Sequence, residues 1–212
     1  RYVVVMPADG GQAREFLIPT TTWERSDLPH DLRWFGDGRG IGFSGADNRG
    51  GWAVFRLLLE TGDWDAIPLA GGFLLTRTEW NTDGSAFYVS QSSANPGIVE
   101  RAVNGGTERF VYRSTKRRSS LQALQFSPDR KWLAFWEGSS DGGNKATEQI
   151  LAVDVKTGET RTLIEEVQAG GPRILRLQSW TPSGDLLIER VKSTGAASEI
   201  LLVSVKGGAP RP

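Results

Sequence analysis

The sequence contains no cysteine and only one histidine, His30. Without thiols there is no disulfide, no thiolate nucleophile and no cysteine-ligated zinc or iron–sulfur cluster. A single histidine excludes a multi-histidine metal site, and a Ser-His-Asp triad would have to use His30, which follows Pro29 in a predicted loop. Gly42-Phe43-Ser44-Gly45 also lacks the spacing of a Gly-x-Ser-x-Gly nucleophile elbow. We therefore expect no catalytic residue, no metal site and no cofactor in this chain.

An excess of charge of either sign is also missing. Lys plus Arg and Asp plus Glu both number 25, so the chain has no net field that would attract nucleic acid or an anionic membrane. The longest apolar runs, such as residues 53–59, are far too short to cross a bilayer. These features predict no nucleic-acid partner and no membrane insertion. The apolar share of 38% is ordinary and predicts a packed core.

Glycine and tryptophan, by contrast, are abundant, with 26 and 8 residues. Many glycines indicate tight turns, and many tryptophans supply bulky packing surface, so together they favour numerous short strands. Four segments share one pattern of an aromatic residue, a polar turn and a short apolar strand: residues 34–43, 80–89, 126–135 and 180–189. Their first residues are 46, 46 and 54 positions apart, close to the period of roughly 40–50 residues in propeller blades.

Each copy is followed by a β-rich run, a glycine turn and a second β-rich run, as in a hairpin. The sequence therefore predicts an all-β fold: one β-propeller segment of four-stranded antiparallel blades over residues 1–212. The strands group as two, four, four, four and three, and the last group stops before a fourth strand. Approximate blades are 28–70, 74–112, 121–164 and 174–208, with a partial blade at 1–18.

Such an arc would expose strand edges and blade faces that propellers normally protect by closing the ring. We therefore expect further blades from outside these residues or from another chain, and closure of this piece alone is the lesser alternative. Because Arg1 leads directly into a strand-like run, we interpret the chain as a piece of a longer protein, and export is left open.

The turn Ser127-Pro128-Asp129-Arg130-Lys131, with the later run at 149–158, carries a specific resemblance. It resembles the repeat of TolB-like and WD-repeat-like propellers, in which TolB-like blades have a Ser-Pro-Asp-Gly-Lys turn. Arg130 stands where glycine is usual, and Ser183 stands where aspartate is usual. The resemblance implies three roles: a protein-binding platform of the bacterial envelope, a substrate-gating domain of a serine peptidase, or a sensory or accessory domain. A periplasmic or extracytoplasmic location follows from the resemblance alone.

The repeated residues have structural interpretations. Asp37, Asp83 and Asp129, with Ser183 in the fourth copy, are expected to accept backbone N–H bonds within their own turns. A calcium-dependent catalytic propeller is the weaker alternative, because these aspartates fall in turns and form no recognisable ligand cluster. The aromatics that begin each copy are expected to pack between blades: Trp34, Trp80, Phe126 and Trp180.

Connections in a blade alternate between its two ends, so the short turns share one face and the longer loops share the other. The long-loop face receives residues 45–51, 91–97, 137–148 and 192–199 and the inter-blade connections 19–31, 68–78, 113–120 and 165–174. Variable loops on a rigid scaffold are where binding usually occurs. Candidate binding residues on this face are Trp23, His30, Arg49, Asn95, Lys116, Arg117, Arg118, Trp136 and Arg173.

Lys116-Arg117-Arg118 is the sharpest charge run, and it fits either a clamp for an acidic partner or a solvated loop. The leading hypothesis is a non-enzymatic propeller that binds protein or peptide on the long-loop face. The alternative is the accessory, substrate-gating propeller of a larger serine peptidase or hydrolase whose catalytic domain lies outside this chain.

Overall fold

A computed structural model describes residues 2–18, 30–46, 51–69, 78–91, 96–106, 108–116, 119–140, 146–168, 175–191 and 198–212. Within these ranges the chain forms seventeen strands in the predicted grouping. The strands are β1 (Tyr2–Val5), β2 (Arg14–Leu17), β3 (His30–Trp34), β4 (Gly40–Ala46), β5 (Trp52–Leu58), β6 (Trp64–Pro68), β7 (Glu79–Trp80), β8 (Ala86–Gln91), β9 (Gly97–Ala102), β10 (Arg109–Arg113), β11 (Ser119–Phe126), β12 (Trp132–Ser140), β13 (Ala146–Asp154), β14 (Thr160–Gln168), β15 (Leu175–Trp180), β16 (Asp185–Val191) and β17 (Ser198–Ser204).

The strands form consecutive antiparallel sheets in which sheet order follows chain order. Blade 1 is β3–β6, blade 2 is β7–β10, blade 3 is β11–β14 and blade 4 is β15–β17, while β1 and β2 pair alone. The first strands of neighbouring blades contact one another, β3 with β7, β7 with β11 and β11 with β15. These are therefore the inner strands around a common axis, and the prediction of an all-β propeller is confirmed.

An isolated bridge lies at the outer edge of blade 4. The Leu202 N–H donates to the Arg211 carbonyl at 2.7 Å, and the Arg211 N–H donates back to Leu202 at 3.0 Å. Arg211 thus forms an isolated antiparallel bridge to β17. The blade has three strands, as the sequence pattern predicted.

Aromatic side chains form the interface between blades 1 and 2. Trp80 is completely buried, with its ring 5.0 Å from Phe35 and 5.4 Å from Phe87. The indole lies directly on the backbone of Gly42 in β4, where an added Cβ would stand 2.1 Å from the ring. The close approach of the two blades therefore depends on a glycine in one and a tryptophan in the other.

Arginines on the outer strands tie successive blades together on the short-turn face. Arg109 of β10 donates through Nη2 to the Val155 carbonyl of blade 3 at 2.8 Å. Arg161 of β14 donates through Nη1 to the Val205 carbonyl of blade 4 at 2.6 Å. Because a charged donor strengthens such a bond, this repeated contact fixes the relative position of neighbouring blades.

The predicted loop at 137–148 is wrong for most of its length. Strand β12 continues to Ser140 and β13 begins at Ala146, so only residues 141–145 separate them, and these lie outside the described residues. Two buried glutamates, Glu137 and Glu148, lie on these longer strands. Glu137 accepts a hydrogen bond from the Tyr112 hydroxyl at 2.9 Å, and Glu148 accepts one from the Leu175 N–H at 3.0 Å. Each carboxylate thus joins blade 3 to a neighbouring blade, which the polar sequence did not indicate.

Candidate ligand-binding pocket

Three of the four inner-strand turns share one hydrogen-bonding pattern on the short-turn face, and the fourth departs from it. In three of them the aspartate Oδ1 accepts the N–H two positions later: Asp37 from Arg39 at 2.8 Å, Asp83 from Ser85 at 3.0 Å and Asp129 from Lys131 at 3.1 Å. In the fourth, the Ser183 hydroxyl lies 2.8 Å from that of Thr181. Side-chain hydrogen bonds from Ser85 and Ser127 are the main causes that lower the pKa of Asp83 and Asp129. In the structure these residues shape their turns.

The residue that follows the aspartate or serine has a left-handed backbone in all four turns. Three of these positions are glycine, with φ of 72° at Gly38, 70° at Gly84 and 84° at Gly184. The fourth is Arg130, with φ of 58°. Left-handed geometry is uncommon for a residue with a Cβ, so this turn carries a side chain where the others have none.

The Arg130 side chain reaches across to blades 1 and 2. Its Nη1 donates to the Trp80 carbonyl at 2.6 Å, and its guanidinium carbon lies 5.0 Å from the centre of the Phe126 ring. The Arg130 Nε stands 2.6 Å from where a Cβ on Gly36 would be, so the absent side chain of Gly36 makes room for it. Arg130 therefore contacts the inner-strand ends of three blades.

The inner-strand ends of all four blades line a pocket of about 710 Å³. Its volume lies within the range of small-ligand pockets, roughly 300–1,000 Å³. The side chains with the strongest binding chemistry in its wall are Arg33 and Trp34 of blade 1, Glu79 of blade 2, Phe126 and Arg130 of blade 3, and Trp180 of blade 4. The pocket opens where the Asp/Gly turns lie, which is the short-turn face and not the long-loop face.

Two cations and one anion occupy this wall. Arg33 Nε lies 3.1 Å from Glu79 Oε1, and only 8% of the Glu79 side chain is exposed. Burial lowers the pKa of the Arg130 guanidinium, which nevertheless stays protonated in proteins. Since the whole chain carries no net charge, the excess of one positive charge here is a local property of the pocket.

Trp34 corrects one sequence prediction. Of the four aromatics expected to pack between blades, Trp80 is completely buried, but 53% of Trp34 is exposed, in the wall of the pocket. Phe35, the next residue, is 2% exposed and packs on Trp80 at the interface of blades 1 and 2. The corresponding residue of blade 2 is Asn81, whose side chain accepts the Ala86 N–H at 3.1 Å. Blade 1 therefore has a buried ring where blade 2 has a polar turn residue.

Most of the candidate residues predicted on the long-loop face lie outside the described residues, namely Trp23, Arg49, Asn95, Arg117, Arg118 and Arg173. His30 begins β3, but its side chain is not among those described. Lys116 lies with its Nζ 4.0 Å from a Glu165 carboxylate oxygen. The binding role of all these residues stays a prediction.

Trp136 does not lie in a loop. It belongs to β12, is 8% exposed, and donates from its indole N–H to Glu148 at 3.1 Å. It packs with residues of blades 3 and 4, so its side chain is not presented to a partner. Sequence reasoning missed the central pocket, although two signals pointed to it: Arg130 in a glycine position, and Trp34 in the loosest copy of the repeat.

Across the described ranges, no group of three or more His, Asp or Glu side chains is placed to hold a metal ion. None of the described segments forms a helix of the length and hydropathy required to cross a membrane.

No protein-family model and no curated protein matches this chain. Several solved structures are similar to it. TolB from Acinetobacter baumannii has a TM-score of 0.64 at 16% identity over 99% of this chain and 47% of that one. A putative TolB from Agrobacterium tumefaciens has a TM-score of 0.58 at 19% identity over 94% of this chain and 64% of that one. The β-propeller domain of the Trilobed protease from Pyrococcus furiosus has a TM-score of 0.55 at 14% identity over 87% of this chain and 56% of that one.

These similarities define the class of protein by its fold. The chain has the β-propeller architecture found in TolB, and it spans about half the length of the Acinetobacter structure. The resemblance to TolB-like propellers is thereby supported at the level of the fold, and its WD-repeat-like part stays a prediction.

Proposed function

We propose that this chain is a non-enzymatic propeller segment that recognises a protein or peptide. The observation that carries the proposal is the pocket of about 710 Å³ at the inner-strand ends, with Trp34, Arg130 and Trp180 in its wall. Tryptophan and arginine are enriched among the residues that dominate binding energy at protein interfaces. A pocket built on four packed sheets holds such side chains in fixed positions, which lowers the entropic cost of binding.

The two faces compete for this role, and one experiment separates them. Peptides selected from a random phage-displayed library against the purified chain are titrated against Trp34→Ala and against a triple alanine variant of Lys116, Arg117 and Arg118. Loss of binding with Trp34→Ala alone favours the pocket. Loss with the triple variant alone favours the long-loop face predicted from sequence. Failure to select any specific peptide contradicts the proposed function.

Further blades are the second kind of partner that we propose. Val3 and Phe16 bury one face of the β1–β2 hairpin against blade 1, whereas Tyr2, Val4 and Leu17 on the other face are 58–60% exposed. In a propeller each blade covers the face of its neighbour. Expression with flanking parent sequence should therefore raise the melting temperature and reduce binding of a hydrophobic dye. An unchanged melting temperature would contradict this arrangement.

An accessory role in a larger peptidase is the alternative function, from a different class. Its support is the similarity to the propeller domain of the Trilobed protease. The parent reading frame discriminates, because a neighbouring α/β-hydrolase segment with a Gly-x-Ser-x-Gly elbow would favour this alternative. Hydrolytic activity of the isolated chain that His30→Ala abolishes would contradict both proposals. A periplasmic or extracytoplasmic location, suggested by the resemblance alone, also stays a proposal.

A further inference from the structure

Arg130 is the feature of the pocket that the fold itself does not require. Equivalent turns reach the same left-handed backbone with Gly38, Gly84 and Gly184. The other described residue with a Cβ and positive φ, Ala123, lies where β11 shifts register against β12. No register shift accounts for Arg130. A left-handed backbone position that carries a large side chain indicates that the side chain has a role of its own.

The guanidinium retains donors that the described residues do not use. Arg130 has five N–H donors, and one of them, on Nη1, donates to the Trp80 carbonyl. Among the described residues no carboxylate lies within ion-pairing distance of Arg130, whereas Arg33 in the same wall pairs with Glu79. Arg130 is therefore a half-buried cation that is held by a backbone hydrogen bond and a ring contact, while Glu79 and Asp37 attract it from beyond ion-pairing distance.

The chemistry of the wall favours a carboxylate over other anions. The planar guanidinium matches a carboxylate in a two-point hydrogen-bonding geometry. A dianionic phosphate would carry more charge toward the nearby Glu79 carboxylate, which repels it. Trp34 and Trp180 come from blades 1 and 4, so a segment that continues on both sides of its acidic residue can contact both rings.

Building on the proposed function, we propose that Arg130 binds the side-chain carboxylate of an acidic residue within a peptide segment, while apolar neighbours of that residue pack on Trp34 and Trp180. The site selects its partner by charge at one position of the segment. Arg33 serves as a positioning residue because its pairing with Glu79 neutralises the one acidic group among the described residues of the wall.

The test uses three synthetic peptides and calorimetric titration of the chain. The acidic probe is acetyl-Gly-Trp-Glu-Trp-Gly-amide, and the neutral control replaces its Glu by Gln. A third peptide keeps the Gln and ends in a free carboxylate. We expect the acidic probe to bind at least about tenfold more tightly than either control, since hydrogen bonds to charged groups have roughly twice the strength of neutral ones.

The variants locate the effect. Arg130→Gly has the residue found in the equivalent turns, so it should fold, and it should lose the preference for Glu over Gln while the Gln peptide binds unchanged. Arg130→Lys should retain only part of the preference, because a point charge lacks the planar fork. Lys131→Ala removes a neighbouring cation outside the pocket wall and should leave the preference intact.

Equal affinity for the Glu and Gln peptides would overturn the inference and leave peptide binding itself standing. Equal affinity for the Glu peptide and the free-acid peptide would also overturn it, since the terminal carboxylate would then serve as well. So would a preference that survives in Arg130→Gly. If none of the three peptides binds while library-selected peptides do, the inference fails and the proposed function holds.

Discussion

Trp34 and Trp80 occupy the same position in successive copies of the repeat, three residues before the turn aspartate, yet they have opposite environments. Trp80 is completely buried between blades 1 and 2, and 53% of Trp34 is exposed in the central pocket. Trp80 packs on the blade before it, against Phe35 and Gly42 of blade 1. Among the described residues, blade 1 has no inner strand before it on which Trp34 could pack in the same way.

The comparison shows that a repeated pattern of residue types does not fix a residue's environment. A tryptophan at this position is buried where the neighbouring blade supplies a matching surface, as Phe35 and Gly42 do for Trp80.

The largest expected effect is the difference in stability between the alanine variants of the two tryptophans. Trp80→Ala should lower the free energy of unfolding by about 4 kcal/mol, because it leaves a cavity against Phe35, Phe87 and Gly42. Trp34→Ala should change it by less than about 1 kcal/mol, as is usual at exposed positions. Urea unfolding of both variants measures the difference, and similar losses would refute the contrast between the two environments.

Converting the blade 1 turn to the blade 2 pattern tests the contribution of Phe35 to the interface that buries Trp80. Phe35→Asn should cost about 3 kcal/mol, because it removes a buried ring that contacts Trp80. Its counterpart, Asn81→Ala, loses the hydrogen bond to the Ala86 N–H and should cost only about 1 kcal/mol. A neutral effect of Phe35→Asn in urea unfolding would show that Phe35 is not the group that fills this interface.

The glycine beneath Trp80 provides a third test. Gly42→Ala places a Cβ 2.1 Å from the indole and should cost about 2 kcal/mol by overpacking. Gly45→Ala in the same strand is the matched control, since its nearest new contact is 3.8 Å away and ordinary. Thermal melts should therefore separate the two variants, and equal melting temperatures would contradict the close approach of the blades.

The smallest expected effect distinguishes the aspartate turns from the serine turn. Hydrogen bonds from Ser85 and Ser127 hold the folded-state pKa of Asp83 and Asp129 below 3.8. The ionised groups thus stabilise the fold above that pH, and this contribution is lost as pH falls through the folded pKa. The double variant Asp83→Asn with Asp129→Asn should be less stable than the parent at pH 6 but closer to it at pH 2.5.

Ser183→Ala is the control for that comparison, because serine does not titrate in this range. Its effect on the urea midpoint should be the same at both pH values. A constant difference between the aspartate variant and its parent across the same range would exclude a role for ionisation.

Several features of the fold could be read directly from the sequence. The aromatic and turn residues at 34–43, 80–89, 126–135 and 180–189 predicted each blade, because local turn chemistry and alternating burial act within a few residues. The central pocket could not be predicted in the same way. Its wall joins Arg33, Glu79, Arg130 and Trp180, which are tens of residues apart and meet only at the axis.

The sequence by itself determined the strand grouping, the turns and the propeller architecture, since these follow from short-range backbone preferences repeated about every fifty residues. Only the tertiary structure decided that Trp34 is exposed, that Trp136 is buried and that Arg130 reaches three blades. Those outcomes depend on which side chain fills a space between distant segments, and packing between neighbouring sheets settles that competition.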